Sequence, residues 1–309
     1  MITQVDSDAA LREASECSIK APLQTAPPVS VVILTLDEEH NLPACLDSLW
    51  DLDDIHILDS GSRDRSVEIA RDRGVPVHFN RFESFGQQRN WAIDHIHTKY
   101  AWQLHLDADE RLTPEFIAEL GKVLRENPSV GGYFVPSKLM FADRWLKYAG
   151  QYPVYQARLF HRDRLRFIDH GHGQRESTDF PLQEFKQPYL HFAFSKGLDH
   201  WFCKHAGYAR LEAEQALGLE SNAGGFAALL SNPIARRRLL KRLSYKIPAR
   251  YWMRLLYMLF IKRSFLDGRA GITYSQMLAT YEAMVAVNLK LLRHDMRLST
   301  SSTNAPAIK

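Results

Sequence analysis

The feature that most constrains the fold is an alternation, through the first half of the chain, of short β-branched runs with helical segments. Val29–Leu36 (VSVVILTL) is apolar at nearly every position, the pattern of a strand buried on both faces. Asn41–Trp50 follows as a helix, with Pro43 near its start and Leu46, Leu49 and Trp50 facing inward. The pairing recurs with a strand at Asp54–Leu58 and a helix over Ser62–Arg73, stopped by Gly74. It recurs again with a short strand at Val75–Phe79 and a helix over Ser84–His97. A fourth strand, Tyr100–Leu106, leads to a helix capped by Thr113, begun by Pro114 and stopped at Asn127-Pro128. Strands and helices in this order predict βαβ units and a mostly parallel sheet flanked by helices. Such sheets bind ligands beyond the carboxyl ends of their strands.

After Gly131 the pattern changes to strand-like runs at Gly132–Met140, Val154–His161 and Leu165–Ile168, an extension of mixed direction. From Leu198 to about Arg297 the chain reads as helical, most clearly where Tyr274, Leu278, Tyr281, Val285, Leu289 and Leu292 step by fours and threes. The expected division is a disordered tail over residues 1–28, an α/β catalytic domain over 29–197, a helical region over 198–297 and a polar, disordered tail over 298–309. Residues 1–28 are polar and acidic and do not read as a secretory leader. Three cysteines, Cys17, Cys45 and Cys203, lie far apart without a CxxC, which excludes a disulfide scaffold and a cysteine zinc site and suits a reducing compartment. No apolar run approaches the ~18 residues that a membrane-spanning helix needs.

The formal charge of +3 conceals an asymmetry. Residues 236–263 hold ten basic side chains (Arg236, Arg237, Arg238, Lys241, Arg242, Lys246, Arg250, Arg254, Lys262 and Arg263) and no acid. The remainder carries 29 basic against 36 acidic residues, a net of −7. So one-sided a block predicts a polyanionic partner. Interleaved leucines and aromatics, among them Trp252, Leu256 and Phe260, suit an anionic membrane surface. Nucleic acid is not expected, because no helix-turn-helix, RNP or zinc-finger pattern accompanies the charge. The rival expectation is a packed helical hairpin with those aromatics buried against the catalytic domain.

Three carboxylate-bearing turns follow three of the predicted strands: Thr35-Leu36-Asp37-Glu38-Glu39, Asp59-Ser60-Gly61-Ser62-Arg63-Asp64 and Asp107-Ala108-Asp109-Glu110. A parallel sheet would gather them on one edge, where crowded acids require cations or hydrogen-bond donors. Asp107 and Asp109, two residues apart, suit a hard divalent cation that keeps positions open for phosphate oxygens. With Gln88-Arg89-Asn90, these turns resemble the family 2 glycosyltransferases of the GT-A fold, over about Val29 to Arg293. The likeness is greatest to the bacterial branch that builds lipopolysaccharide core or exopolysaccharide. Two departures are Asp37 where the family has Asn and Arg63 where Thr is commoner.

The resemblance implies a GT-A fold with a helical C-terminal extension and an inverting, metal-dependent sugar transfer. It implies a nucleotide-sugar donor, UDP-linked above all, and a saccharide acceptor carried on a lipid. Thr35 and Glu38 would border the base and ribose, and Asp59, beside Gly61, would accept a hydrogen bond from the base. Arg89 would lie near the nucleotide, Asp107 by the ribose or metal, and Asp109 on the metal, Mg²⁺ or Mn²⁺. An inverting transfer also needs a base for the acceptor hydroxyl. The stretch Asp169-His170-Gly171-His172-Gly173-Gln174-Arg175-Glu176 resembles the branch's loop that supplies it, with Glu176 first and Asp169 next, its glycines allowing close approach. His191 and the Asp199–Tyr208 stretch also resemble the branch, without an assigned role. A lipid-held acceptor implies a peripheral position on the cytoplasmic face of the inner membrane. The alternatives are a metal-dependent nucleotidyltransferase, which would want a Gly-rich basic loop after the first strand, and a non-catalytic membrane-binding module on the same fold.

Overall fold

A computed structural model describes residues 26–126, 128–170, 173–221, 245, 247 and 249–303. At its centre β1 (Ser30–Thr35) runs parallel to β2 (Ile55–Asp59) on one side and β4 (Trp102–Asp107) on the other, and β3 (Val77–Phe79) extends the sheet beyond β2. Past β4 the sheet continues through the antiparallel β8 (Val154–His161) to β6 (Gly132–Phe141). Two short strands, β11 (Leu182–Glu184) and β12 (Tyr189–His191), lie parallel to the two ends of β6. β5 (Glu110–Arg111) closes the edge antiparallel to β12, and β7 (Arg144–Trp145) folds back on the end of β6. A separate ribbon of β9 (Arg166–His170) and β10 (Gly173–Ser177) packs on α3 (Phe85–His95).

The continuous apolar runs are explained by helices on both faces of the sheet. On one face Val31, Ile33, Leu104 and Leu106 pack with Leu42 and Leu46 of α1 (Leu42–Asp47) and with Phe116, Leu120 and Leu124 of α4 (Pro114–Arg125). On the other, Val32 and Leu58 meet Ala92 and Ile96 at the end of α3. Thr113 caps α4 by accepting the Phe116 N–H at 3.2 Å, with Pro114 at the first helical position. This is the α/β, GT-A-like architecture with a C-terminal helical extension.

Some boundaries shift from the expected ones, for physical reasons. α2 spans Ser66–Asp72 and not Ser62–Arg73, because the residues before Ser66 are drawn into turn hydrogen bonds with the end of β1. The final helix continues to Thr303, past the position where a polar tail was expected. Residues 1–25 of the expected N-terminal tail, and the basic residues Arg236, Arg237, Arg238, Lys241, Arg242 and Lys246, lie outside the described residues.

The extension comprises α5 (Gly197–Ser221), α6 (Arg250–Leu256), a π-helical turn (Tyr257–Ile261), a 3₁₀ turn (Ser264–Asp267) and α7 (Gly268–Thr303). Ala209, Ala213 and Ala216 of α5 let α7 approach closely through Val285 and Leu289. The buried Asp267 carboxylate accepts the Tyr148 and Ala149 N–H groups at 2.9 and 2.7 Å, which ties the start of α7 to the turn between β7 and β8. Charge-assisted bonds of this kind are worth about 1.5–3 kcal/mol each. Ser264 and Ser275 share a hydrogen bond of 2.7 Å, and a Cβ on Gly271 would lie 2.1 Å from the Ser264 carbonyl oxygen. Gly271→Ala should therefore lower stability by about 1–3 kcal/mol in urea melts. Gly207→Ala, on α5 where a Cβ meets open space, should raise it by about 0.5–1 kcal/mol. Equal effects from the two would contradict this packing.

Candidate active site

The parallel register brings the three acidic turns to one edge: Thr35 is level with Asp59, and Leu34 with Asp107. The first two turns are sewn together. Asp37, in a left-handed backbone conformation, accepts the Arg63 N–H at 2.7 Å, and its own N–H donates to the Ser62 hydroxyl at 2.9 Å. The Glu38 N–H donates to the Ser66 hydroxyl at 2.7 Å, and the Glu39 N–H to Asp64 at 2.9 Å. The two family departures, Asp37 and Arg63, thus meet in one hydrogen bond that an Asn oxygen could equally accept. Asp59 is buried, and its oxygens accept from the Thr35 and Ser62 hydroxyls and the Gly61 and Ser62 N–H groups. Those four donors fill a carboxylate's acceptor positions. Gly61, at φ 102°, holds a conformation that L side chains rarely adopt.

Behind this edge lies a buried ionic layer. Asp107 is held from both sides: Arg89 Nη2 donates to Oδ1 at 3.0 Å and Arg158 Nη2 to Oδ2 at 2.6 Å. Arg158 also donates to the fully buried Glu110, whose other oxygen accepts the Asp107 N–H at 3.0 Å. Burial raises the Asp107 carboxyl above its ordinary range, and the Arg89 charge opposes the rise. Burial, then the Asp107 and Asp109 charges, push Glu110 up further, and Arg158 is the cation set against it. Arg89 Nε donates to Gln174 of β10 at 3.1 Å, while its Nη1 is buried without a partner.

Asp109 and Glu38 face a cavity of about 420 Å³ between this sheet edge and α5. His191, at the end of β12, places Nε2 3.4 Å from Asp109 Oδ2. Burial acts most strongly and raises the Asp109 carboxyl, but the His191 hydrogen bond and charge together with the Lys204 charge outweigh it, and the net shift is downward. The reverse holds for His191, where burial disfavours the cation and Asp109 more than restores it. Lys196 donates to Glu38 at 2.7 Å and to the Leu36 carbonyl at 3.0 Å, bridging α5's approach to the first turn. Burial nevertheless raises Glu38. Lys204 brings a further cation to bear on Asp107, Asp109 and His191. Trp201, stacked on His205 at 3.6 Å, forms an aromatic wall with Phe194 and Tyr274.

Thr35, Glu38, Asp59, Gly61, Arg89, Asp107 and Asp109 therefore converge on one sheet edge, with Glu38 and Asp109 in the cavity wall. Glu176 and Asp169 sit on the β9–β10 ribbon and do not line that cavity. Asp169 is engaged with the first turn of α3, accepting from the Ser84 hydroxyl at 2.8 Å and the Gly86 N–H at 3.2 Å. Glu176 shares a strand face with Gln174, the partner of Arg89. Gly171 and His172, between these strands, lie outside the described residues. Sequence reasoning gave no role to Arg158, His191, Lys196 or Lys204. Arg158 carried a usable signal, since an arginine inside an apolar strand must meet buried carboxylates.

The two donor atoms of Asp109 and His191 fit a divalent cation. Magnesium-type sites use one or two protein ligands and fill the rest with phosphate oxygens and water. Among the described residues no three His, Cys, Asp or Glu side chains converge, so such a site would depend on the substrate's oxygens. Both Asp107 oxygens are held by guanidinium groups, which leaves Asp109 as the carboxylate of the pair facing the cavity.

Residues 30–178 match the Glycosyl transferase family 2 profile, and the chain is glycosyltransferase-like over that stretch. It is 32% identical to a TPR repeat-containing protein of Synechococcus elongatus, over 60% of this chain and 44% of that protein. It is 28% identical to the lipopolysaccharide core biosynthesis glycosyltransferase LpsC of Rhizobium meliloti, over 48% of this chain and 53% of LpsC. The chain thus spans about half the length of the curated relatives it matches. Among solved structures it is similar to glucosyl-3-phosphoglycerate synthase of Mycobacterium tuberculosis at 23% identity, with a TM-score of 0.30 over 37% of this chain and 44% of that one.

The ionic layer yields a direct test. Arg158→Met should destabilise the protein by about 3–5 kcal/mol, because it strands buried carboxylate charge. Adding Glu110→Gln should recover part of that loss, measured as a double-mutant cycle in urea. A stability unchanged by Arg158→Met would mean that the layer is not ionised as described.

Proposed function

We propose that this chain is an inverting glycosyltransferase that moves a sugar from a nucleotide-sugar, a UDP-sugar above all, to a saccharide acceptor held on a lipid. The observation that carries this reading is the Asp109–His191 pair, set in a cavity at the carboxyl ends of parallel strands, with Lys196 and Lys204 beside it. The match of residues 30–178 to Glycosyl transferase family 2 and the likeness to a lipopolysaccharide core glycosyltransferase support the same class. A nucleotidyltransferase reading fares worse, because the loop after β1 is acidic where a basic phosphate loop would be needed.

In this reading Thr35, Glu38 and the Asp59–Gly61 turn border the base and ribose. The Ser62 hydroxyl on Asp59 is the donor that a base N–H would replace. Arg89 and Arg158 hold Asp107, and with it the backbone that aims Asp109 at the cavity. Asp109 and His191 would hold a Mg²⁺ or Mn²⁺ ion, which supplies Lewis-acid stabilisation of the leaving diphosphate. Lys204 adds positive charge to the same anion. The acceptor hydroxyl oxygen forms the new bond to the anomeric carbon as the bond to the diphosphate breaks, and its proton passes to a base. Glu176 is the proposed base, because both Asp169 oxygens are already occupied at the start of α3. The aromatic wall of Phe194, Trp201 and Tyr274 suits the apolar face of a sugar. A peripheral position on the cytoplasmic face of the inner membrane would bring a lipid-held acceptor within reach.

Asp109→Asn should reduce transfer by ~10²-fold or more while the melting profile stays close to wild type. Turnover near wild type at saturating donor and Mn²⁺ would remove Asp109 from the site. Glu176→Gln should keep nucleotide binding, read by calorimetry, and lose transfer. Normal transfer by Glu176→Gln with loss in Asp169→Asn would move the base to Asp169.

A further inference from the structure

We infer that the outer face of α6 and the two turns after it inserts into the headgroup region of an anionic bilayer. Trp252, Leu256 and Phe260 form a stripe at four-residue spacing, continued by Ile261, Phe265 and Leu266. All six are exposed: Trp252 by 56%, Phe260 by 66% and Ile261 by 69%. So many exposed large apolar side chains in one short segment mark an interaction site on a folded protein. The expected alternative, aromatics packed against the catalytic domain, does not describe these six side chains.

The two turns after α6 are anchored from behind. Met258 is fully buried with Leu146 and Ala149, and Ser264 and Asp267 are fastened by the hydrogen bonds to Ser275, Tyr148 and Ala149. The segment is thus anchored through Met258, Ser264 and Asp267 in the two turns, while α6 itself buries no residue.

The charges choose the partner. From Ala249 to Leu266 the chain holds Arg250, Arg254, Lys262 and Arg263 and no acid. Arg250 is paired with Glu282 at 2.8 Å. Arg254 and Lys262 lie 5.9 and 5.8 Å from the Tyr257 ring, so cations flank an aromatic group beside the apolar stripe. Apolar side chains, interfacial aromatics and cations without acids are the composition of a helix lying in an anionic lipid surface. A second copy of the same face would set those cations against each other. No helix among the described residues is long and apolar enough to cross a membrane, which fits insertion into one surface.

The position also serves the proposed reaction. The segment rests on the Leu146–Gly150 turn, and Gly150 lines the cavity, as does Tyr274 of α7. A bilayer against this face would bring lipid-held saccharide to the part of the molecule that walls the site. The inference deepens the peripheral-membrane part of the proposed function and rests on it for its purpose, while its test requires no sugar transfer.

The test is sedimentation of the full chain with sucrose-loaded vesicles of phosphatidylcholine, with and without phosphatidylglycerol. Binding should require phosphatidylglycerol and fall in high salt, each basic residue at the surface contributing roughly fivefold. Trp252→Ser/Phe260→Ser/Ile261→Ser should lower partitioning by ~10-fold or more through lost apolar burial. Arg254→Gln/Lys262→Gln/Arg263→Gln should lower it without altering those apolar side chains. Quenching of tryptophan emission by brominated lipid should be present in wild type and reduced in Trp252→Phe, which charge adsorption elsewhere on the chain would not produce. No binding to anionic vesicles, or wild-type binding by the apolar variant, would overturn the inference. A dimer in light scattering that the apolar variant converts to monomer, without vesicle binding, would reassign the face to self-association. Nucleoside diphosphate release from donor, measured on the same variants, separates the two readings: release without vesicle binding overturns only the surface, and binding without release only the transferase.

Discussion

Two arginine side chains, Arg89 and Arg158, make the acidic edge of this sheet possible. Glu110 lies in the interior and Asp107 at its half-buried rim, where an unpaired carboxylate would cost several kcal/mol or remain protonated. Arg89 enters from α3 and Arg158 from β8, so the ionic layer depends on elements far apart in the chain. Once Asp107 is fixed between them, the turn that follows can aim Asp109 outward at the cavity. The same layer reaches the β9–β10 ribbon through Gln174, which links the strand that carries Glu176 to the edge that carries Asp107.

The first half of the fold was legible because its signals are long and redundant. Short β-branched runs such as VSVVILTL, bounded by turns and alternating with helices, read as strands buried on both faces, and the sheet register then brings Thr35, Asp59 and Asp107 together. The half of the site supplied from beyond residue 150 was less legible. β12 is three residues long, too short for any periodic pattern, yet it delivers His191 to Asp109. No pattern in the sequence assigns a role to Lys196 or Lys204; the packing of α5 along the cavity does. Arg158 could have been flagged from its apolar surroundings, but its partners are fixed only by the antiparallel pairing of β8 with β4.

The helical extension is coupled to the sheet by polar groups as well as apolar ones. Asp267 reaches the turn between β7 and β8, while Lys196 at the start of α5 reaches Glu38. The second of these lines the cavity, whose sheet-edge side is acidic and whose α5 wall is basic and aromatic. A substrate that is anionic at one end and a carbohydrate at the other matches that division of chemistry.

The most direct measurement is calorimetric binding of UDP, GDP and ADP to the intact chain, with Mn²⁺ and then with a chelator. The tightest of the three should bind at least ~10-fold more strongly with Mn²⁺, because Asp109 and His191 would hold the ion that the diphosphate also binds. Substituting His191→Ala should abolish that gain and leave the metal-free affinity in place. Failure of all three nucleotides to bind, or binding that ignores the cation, would contradict a metal-assisted nucleotide-sugar site.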